Sequence, residues 1–178
     1  MEAQAIEHPS TLAEFLAGDY ESYEFVEGKL IPMAAAKIIH GDIAAEVLML
    51  LGSYVKEHQL GKLYTAETVF TVGNRGRKPD VAFVASEQIP DDLWQNFPIP
   101  PDLAIEVVSE TDAMKAVHEK AFEYLDAGTQ LVWAIEPFSQ TVIAYRSPTD
   151  INLLTIDDIL TGEPAVKGFR CRVADIFT

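Results

Sequence analysis

The chain has 178 residues, of which 48% are hydrophobic and 10% aromatic, the composition of a globular domain with a full core. Its net charge of −15 argues against broad electrostatic binding to nucleic acid, and its single cysteine excludes an internal disulfide. Uninterrupted apolar runs are too short to span a bilayer, and residues 1–4 lack the features of a signal peptide. We therefore expect a single domain over residues 1–178, located in the cytoplasm and not in a membrane.

Apolar periodicity and turn residues predict an alternation of helices and strands. Ser10 is the expected N-cap of the first helix, and the continuous apolar run at 103–108 is typical of a strand covered on both faces. Residues 86–101 hold four prolines and predict an irregular surface segment. The expected helices cover residues 11–16, 39–58 and 112–127, and the expected strands cover 23–26, 29–31, 63–72, 80–84, 103–108, 131–135 and 141–145.

This order of elements predicts an α/β fold with a mixed β-sheet and helices on its faces. The strand at 141–145 is the expected edge of the sheet. Residues 162–178 are the expected extension that completes the core, with Phe169, Val173, Ile176 and Phe177.

Glu106 is the sharpest anomaly in the sequence, because it places a carboxylate inside an apolar strand. Strand alternation puts Glu106 on one face with Ala104 and Val108. Burying an unpaired carboxylate is costly, so positive charge or hydrogen-bond donors must face it. A neighbouring Arg, Lys or backbone amide satisfies this requirement, and so does a metal ion.

Asp80 and Lys120 complete a candidate trio with Glu106. Asp80 follows a proline at the start of a predicted strand; it either caps a turn or, if its strand neighbours that of Glu106, joins Glu106 at one ion. Lys120 lies at the border of the apolar stripe of its helix, so its ammonium either reaches the sheet or snorkels to solvent. Two carboxylates that hold a divalent cation and one lysine suffice to hydrolyse a phosphodiester.

Glu24 and His40 are weaker candidates. Glu24 is either a third carboxylate of the site or a solvent-facing strand residue, and His40 either contacts a phosphate or caps the long helix. Any contact with nucleic acid must be local, and the best patch for it contains Arg75, Arg77 and Lys78.

Motifs of other chemistries are absent from the sequence. There is no Gly-rich phosphate loop, no Gly-x-Ser-x-Gly elbow, no cysteine pair with zinc spacing and no His-Glu-x-x-His. These absences disfavour nucleotide hydrolysis, serine esterase chemistry and zinc proteolysis.

An ordered series of segments carries a family resemblance. The segments are residues 23–30, 40–41, 79–84, 101–109, 119–120, 124–128 and 132–137. In this order they resemble the putative restriction endonuclease family of the PD-(D/E)XK nuclease superfamily. The resemblance covers residues 23–146, with a weaker match at 168–169.

The resemblance implies a restriction-endonuclease-like core, in which a mixed central β-sheet is flanked by α-helices. It also implies Mg²⁺-dependent phosphodiester hydrolysis, with Mn²⁺ as an alternative ion, and a homodimer. By position, Asp80 and Glu106 are the metal ligands and Glu24 is an auxiliary acid. The lysine expected two residues after the strand glutamate is absent, and Lys120 on the following helix takes its place, as in the family.

The leading expectation is therefore a metal-dependent endonuclease that acts on nucleic acid, with DNA the expected substrate and RNA left open. The alternative is a catalytically inactive, nuclease-like module that binds protein, and the net charge of −15 favours it.

Overall fold

The computed structural model describes residues 8–33, 35, 37–110 and 112–178, and a six-stranded mixed β-sheet lies at its centre. Residues 1–4, to which the signal-peptide prediction applies, lie outside the described residues. The helices are α1 (Leu12–Ala17), α2 (Ile38–Glu57) and α3 (Met114–Ala127). The strands are β1 (Tyr23–Val26), β2 (Lys29–Pro32), β3 (Gly61–Thr65), β4 (Phe70–Val72), β5 (Arg75–Arg77), β6 (Val81–Ala85), β7 (Leu103–Val107), β8 (Leu131–Glu136), β9 (Thr141–Ser147), β10 (Asp150–Leu154), β11 (Ile159–Thr161) and β12 (Arg170–Arg172).

The central sheet has the strand order β10-β9-β8-β7-β6-β3. Strands β7 and β8 are parallel, and all other neighbours are antiparallel. A parallel pair needs a long crossover connection, and α3 supplies it. The predicted α/β fold with a mixed central sheet flanked by helices is confirmed.

Different helices cover the two faces of this sheet, and β7 contributes to both. Leu103, Ile105 and Val107 are buried in one cluster with residues of α2. Ala104 and Val108 are buried in a second cluster with Ala121 and Tyr124 of α3. The predicted alternation is thus confirmed, and Glu106 lies on the α3 face.

Helix α2 is long and apolar enough to cross a membrane, by length and composition only. An 18-residue window of this helix has a mean hydropathy of 1.4. One stripe of the helix is fully buried in the core cluster that packs on the sheet. Of the 18-residue window, 22% is buried. Core helices of globular proteins show the same pattern. The stripe consists of Ile43, Val47, Leu51 and Val55.

A second sheet, with the strand order β2-β1-β5-β4, contains the strands predicted at 23–26 and 29–31, which pair as an antiparallel hairpin. The hairpin turn uses Glu27 and Gly28, both with positive φ, 50° and 78°. The predicted single strand at 63–72 is wrong, because β3 and β4 belong to different sheets. The break is a tight turn, in which the Thr68 amide donates to the Thr65 carbonyl at 2.9 Å.

Other element boundaries also differ from the predictions. The N-cap of α1 is Thr11 rather than Ser10, because Thr11 and Glu14 form a reciprocal capping box. Strand β9 is not an edge, since β10 pairs with it beyond the last predicted strand. Phe169, Val173 and Ile176 are buried in the core as expected, and Phe177 is partly buried against it.

Candidate active site

Asp80 and Glu106 lie on neighbouring strands of the central sheet. Asp80 immediately precedes β6, which pairs antiparallel with β7 so that Val81 lies opposite Ile105. The backbone amide of Val107 donates a hydrogen bond to Asp80 Oδ2 at 2.7 Å. The fold therefore brings the two carboxylates to the same end of a strand pair, as the sequence requires for a shared ion.

Each of these carboxylates has one oxygen held by the protein. Asp80 Oδ2 accepts from Val107 and lies 3.3 Å from His40 Nε2. Glu106 Oε1 lies 2.9 Å from Lys120 Nζ and accepts from the Tyr124 hydroxyl at 2.8 Å. The other two oxygens, Asp80 Oδ1 and Glu106 Oε2, accept no hydrogen bond from the described residues. Each carboxylate thus keeps one oxygen for a ligand.

The ammonium of Lys120 lies between two carboxylates. Its Nζ is 2.9 Å from Glu106 Oε1 and 3.3 Å from Glu24 Oε1. Burial alone would lower the pKa of Lys120, but the charges of Glu106 and Glu24 outweigh burial and raise it. Lys120 is therefore a permanent cation at neutral pH.

The pKa values of Glu106 and His40 are also raised. Burial, with added repulsion from Asp80 and Glu24, raises the pKa of Glu106 to about 7, although Lys120 opposes the shift. The hydrogen bond to Asp80 raises the pKa of His40, and burial only partly offsets this effect. Glu106 can therefore change charge near neutral pH, whereas the shift of His40 favours its protonated form.

Glu24 is not an open third carboxylate. It is 7% exposed, and both of its oxygens are occupied. Oε1 accepts from the Lys78 amide at 3.0 Å and faces Lys120, while Oε2 accepts from Arg77 at 2.7 Å. Burial favours the neutral form, but the charges of Lys120 and Arg77 outweigh it and lower the pKa of Glu24. The carboxylate of Glu24 therefore holds the Lys120 ammonium in place.

The expected cationic patch is not an open surface, and for Arg77 and Lys78 that prediction is wrong. Arg77 is 7% exposed and binds Glu24 and Glu123, while Lys78 is 4% exposed and donates to two backbone carbonyls at 3.0 and 2.6 Å. Arg75 Nε lies 3.2 Å from Glu123. Because β5 pairs with β1 and α3 supplies Glu123, acidic side chains already neutralise both arginines.

Sequence reasoning missed Tyr124 and Glu123 as contributors to this region. Helical periodicity over residues 112–127 predicts only that Tyr124 packs in the core, yet its hydroxyl also donates a hydrogen bond to Glu106. The available signal was the spacing of four residues between Lys120 and Tyr124, which puts both side chains on one helix face. The same periodicity predicts that Glu123 faces away from the core, whereas in the structure it contacts Arg75 and Arg77.

Asp102 has the burial of a functional carboxylate but the contacts of a structural one. It is 4% exposed and accepts hydrogen bonds from the Ala85 amide and from the amide groups of Gln88 and Gln130, at 2.6 to 2.8 Å. These bonds join the loops that follow β6 and precede β8. Asp102 therefore stabilises the sheet, and both of its carboxylate oxygens are engaged in these bonds.

The site fits a hard divalent cation. Carboxylate oxygens are the ligands that Mg²⁺ and Mn²⁺ prefer, and Mg²⁺ is commonly bound through one or two carboxylates with water or substrate oxygens. The described residues contain no group of three or more His, Cys, Asp or Glu side chains that could hold a metal. Asp80 and Glu106 would therefore hold such an ion as a pair, with the remaining positions left to other oxygens.

Two concave regions differ in their relation to this pair. A cavity of about 160 Å³ lies beside it between α3 and the sheet, and Glu106, Lys120 and Asp112 line it together with small apolar residues. A larger groove of about 1010 Å³, between α1 and residues 90–98, contains none of the candidate site residues. The smaller cavity is therefore the one continuous with the site.

The fold and site define a class: a mixed α/β domain with two carboxylates at the end of adjacent strands and a lysine on the following helix. The chain belongs to the family described as "Putative restriction endonuclease", which it matches over residues 11–174. This confirms the resemblance seen in the sequence and extends it at both ends.

A solved structure agrees with this assignment. The chain is similar to a putative nuclease belonging to DUF820 from Anabaena variabilis, with 27% sequence identity and a TM-score of 0.84. The match covers 95% of this chain and 98% of the other. No curated protein matches the chain. The family and this neighbour support a nuclease-like function.

Proposed function

We propose that this protein hydrolyses phosphodiester bonds in nucleic acid with the help of a divalent metal ion, Mg²⁺ or Mn²⁺. The observation that carries the proposal is the pair of oxygens on Asp80 and Glu106, beside the Lys120 ammonium, that accept no hydrogen bond from the part of the chain that the structure describes. Restriction-endonuclease-like families generally use divalent ions, which supports the choice of cofactor.

The carboxylates and the lysine have different tasks in this proposal. Asp80 and Glu106 would hold the ion, which when bound supplies Lewis-acid polarisation of a phosphoryl oxygen. Lys120 stays protonated, so it stabilises negative charge that develops on the phosphate instead of accepting a proton from the nucleophile. The contacts of Lys120 with two carboxylates therefore favour charge stabilisation over proton acceptance.

Glu24 and His40 assist these residues. Glu24 contacts the Lys120 ammonium together with Glu106, and the two carboxylates hold it in position. His40 has a raised pKa, so a larger share of imidazolium is present at neutral pH to contact a substrate phosphate.

The test compares the wild type with Asp80→Asn and with Asp126→Asn, an exposed aspartate on α3. Each protein is titrated with Mg²⁺ and Mn²⁺ in a thermal unfolding assay and incubated with labelled single- and double-stranded DNA and RNA. We expect ion-dependent stabilisation and cleavage for the wild type and Asp126→Asn, and neither for Asp80→Asn. No cleavage of any substrate by the wild type, together with equal ion binding by Asp80→Asn, would refute the proposal.

The second candidate is a nuclease-like module that binds protein. The net charge of −15, with Arg77 and Lys78 buried, favours it, because phosphate binding normally uses exposed cations. Calorimetry that detects no Mg²⁺ or Mn²⁺ binding at millimolar concentrations would support this candidate. The homodimer, the cytoplasmic location and the choice of DNA over RNA stay predictions.

A further inference from the structure

Tyr124 and Lys120 hold the same oxygen of Glu106 from one helix. The Tyr124 hydroxyl donates to Oε1 at 2.8 Å, and Lys120 Nζ lies 2.9 Å from that atom. The two residues are four apart on α3, so successive turns of the helix bring both groups to one point. Two donors on one helix, α3, thus hold the carboxylate of Glu106 in place.

These two contacts determine which carboxylate oxygen of Glu106 is available to a ligand. With Oε1 occupied by two donors, rotation of the carboxylate about its last bond would break both contacts. Oε2 accepts no hydrogen bond from the described residues. Partners that orient a metal-binding carboxylate or imidazole in this way are commonly as important for affinity as the ligand itself.

Tyr145 provides an internal comparison for Tyr124. Both tyrosines are 0% exposed, belong to the same core cluster and bind another side chain through the hydroxyl. The partner of Tyr145 is His118 Nδ1 at 2.7 Å, and His118 contacts none of the candidate site residues. Removing either hydroxyl therefore removes one partly buried hydrogen bond to a neighbouring side chain, but only the bond of Tyr124 goes to Glu106.

We propose that Tyr124 is a positioning residue of the active site, which fixes the Glu106 carboxylate so that Oε2 faces the divalent ion. The proposal rests on the proposed function for the presence of that ion. It adds a residue that neither the sequence motif nor the family match assigns to the site.

The experiment compares Tyr124→Phe with Tyr145→Phe by calorimetric titration with Mn²⁺ and Mg²⁺, after circular dichroism has shown native folding. We expect Tyr124→Phe to weaken ion affinity by about tenfold to a hundredfold and Tyr145→Phe to leave it unchanged. Equal affinity in the wild type and Tyr124→Phe would overturn the positioning role while the proposed function stands. A wild type that binds neither ion would overturn both.

A second measurement needs no substitution at Tyr124. Wild-type protein labelled with ¹³C at the ζ carbon of tyrosine is titrated with Mg²⁺, and the Tyr145 signal is assigned from Tyr145→Phe. If Tyr124 orients Glu106, ion binding shifts a buried tyrosine signal other than that of Tyr145. If ion binds and no such signal moves, the positioning role is wrong even where Tyr124→Phe does not fold.

Discussion

Lys120 and Glu106 form an ion pair across the contact between α3 and β7, with Nζ 2.9 Å from Oε1. Lys120 does not fully balance the negative charges around Glu106. The carboxylates of Asp80 and Glu24 both raise the pKa of Glu106, and Lys120 opposes them. Burial and the repulsion from these two carboxylates therefore raise the pKa of Glu106 despite its contact with Lys120. A divalent cation bound here would relieve the repulsion between Asp80 and Glu106.

Replacing Lys120 tests this balance. Lys120→Met leaves Glu106 without its cation and leaves Glu24 with Arg77 alone, and removing one partner of a buried pair costs about 3 kcal/mol of stability. We also expect activity to fall by about a hundredfold or more, because the charge that stabilises the reacting phosphate is lost. Urea unfolding and cleavage rates measure the two effects.

Lys115→Met is the control on the same helix. The side chain of Lys115 is 84% exposed and lies 3.5 Å from Glu119. Exposed pairs of this kind contribute little, so the stability should change by less than about 0.5 kcal/mol. If Lys120→Met loses as little stability as Lys115→Met, the ion pair of Lys120 and Glu106 contributes no more than an exposed pair.

The raised pKa of Glu106 predicts a pH dependence of stability. Burial moves this pKa from 4.5 to about 7, so between these values the folded protein binds a proton that the unfolded chain has released. Stability from this group is therefore present below pH 4.5 and is lost as pH rises towards 7, by at most about 3 kcal/mol. Urea unfolding from pH 4.5 to 8 measures this loss.

Glu106→Gln removes the titrating group without changing the shape of the side chain. The difference in unfolding free energy between the wild type and this variant should fall as pH rises and then level off above pH 7. A difference that rises with pH over this interval would mean that Lys120 dominates and that the pKa of Glu106 is lowered.

The strands of the site could be predicted because their signals are local. The run at β7 is apolar on both faces except at Glu106, so its burial and the anomaly are both visible in the sequence. Asp80 has a proline before it, which fixes the start of β6. What the sequence could not supply was the distance from Lys120 to the sheet, since a border lysine can reach the sheet or solvent.

The fate of Arg77 shows where local reasoning ends. Arginines next to a lysine have the composition of a surface patch, and nothing nearby in sequence contradicts that interpretation. Only the pairing of Phe25 with Gly76 places Glu24 beside Arg77, and only the packing of α3 adds Glu123. Contacts across more than 40 residues decide whether these cations are exposed or neutralised.

Arg77 should consequently matter for stability. Arg77→Met leaves Glu24 and Glu123 without their shared partner and should lower the unfolding free energy by about 3 to 5 kcal/mol. Arg77→Lys restores the charge but cannot bond two carboxylates through separate nitrogens, so its loss should be intermediate. Urea unfolding followed by circular dichroism measures both.

Arg170→Met is the control for Arg77, because Arg170 is an exposed arginine on β12. Its stability should stay within about 0.5 kcal/mol of the wild type. If Arg77→Met is as stable as Arg170→Met, the two ion pairs of Arg77 do not stabilise the fold.

Gly41 gives a prediction of opposite sign. It is exposed near the start of α2, next to His40, and a Cβ atom added there would meet nothing within 4 Å. Glycine in a helix is less stable than alanine by about 0.5 to 1 kcal/mol, so Gly41→Ala should stabilise the protein by that amount in urea unfolding. Gly61→Ala is the contrast, because its Cβ would lie 2.1 Å from the Val84 carbonyl oxygen and the backbone must shift. A gain of stability in Gly41→Ala with a fall in cleavage would indicate that substrate approaches the backbone beside His40, whereas a loss of stability would contradict the open space at Gly41.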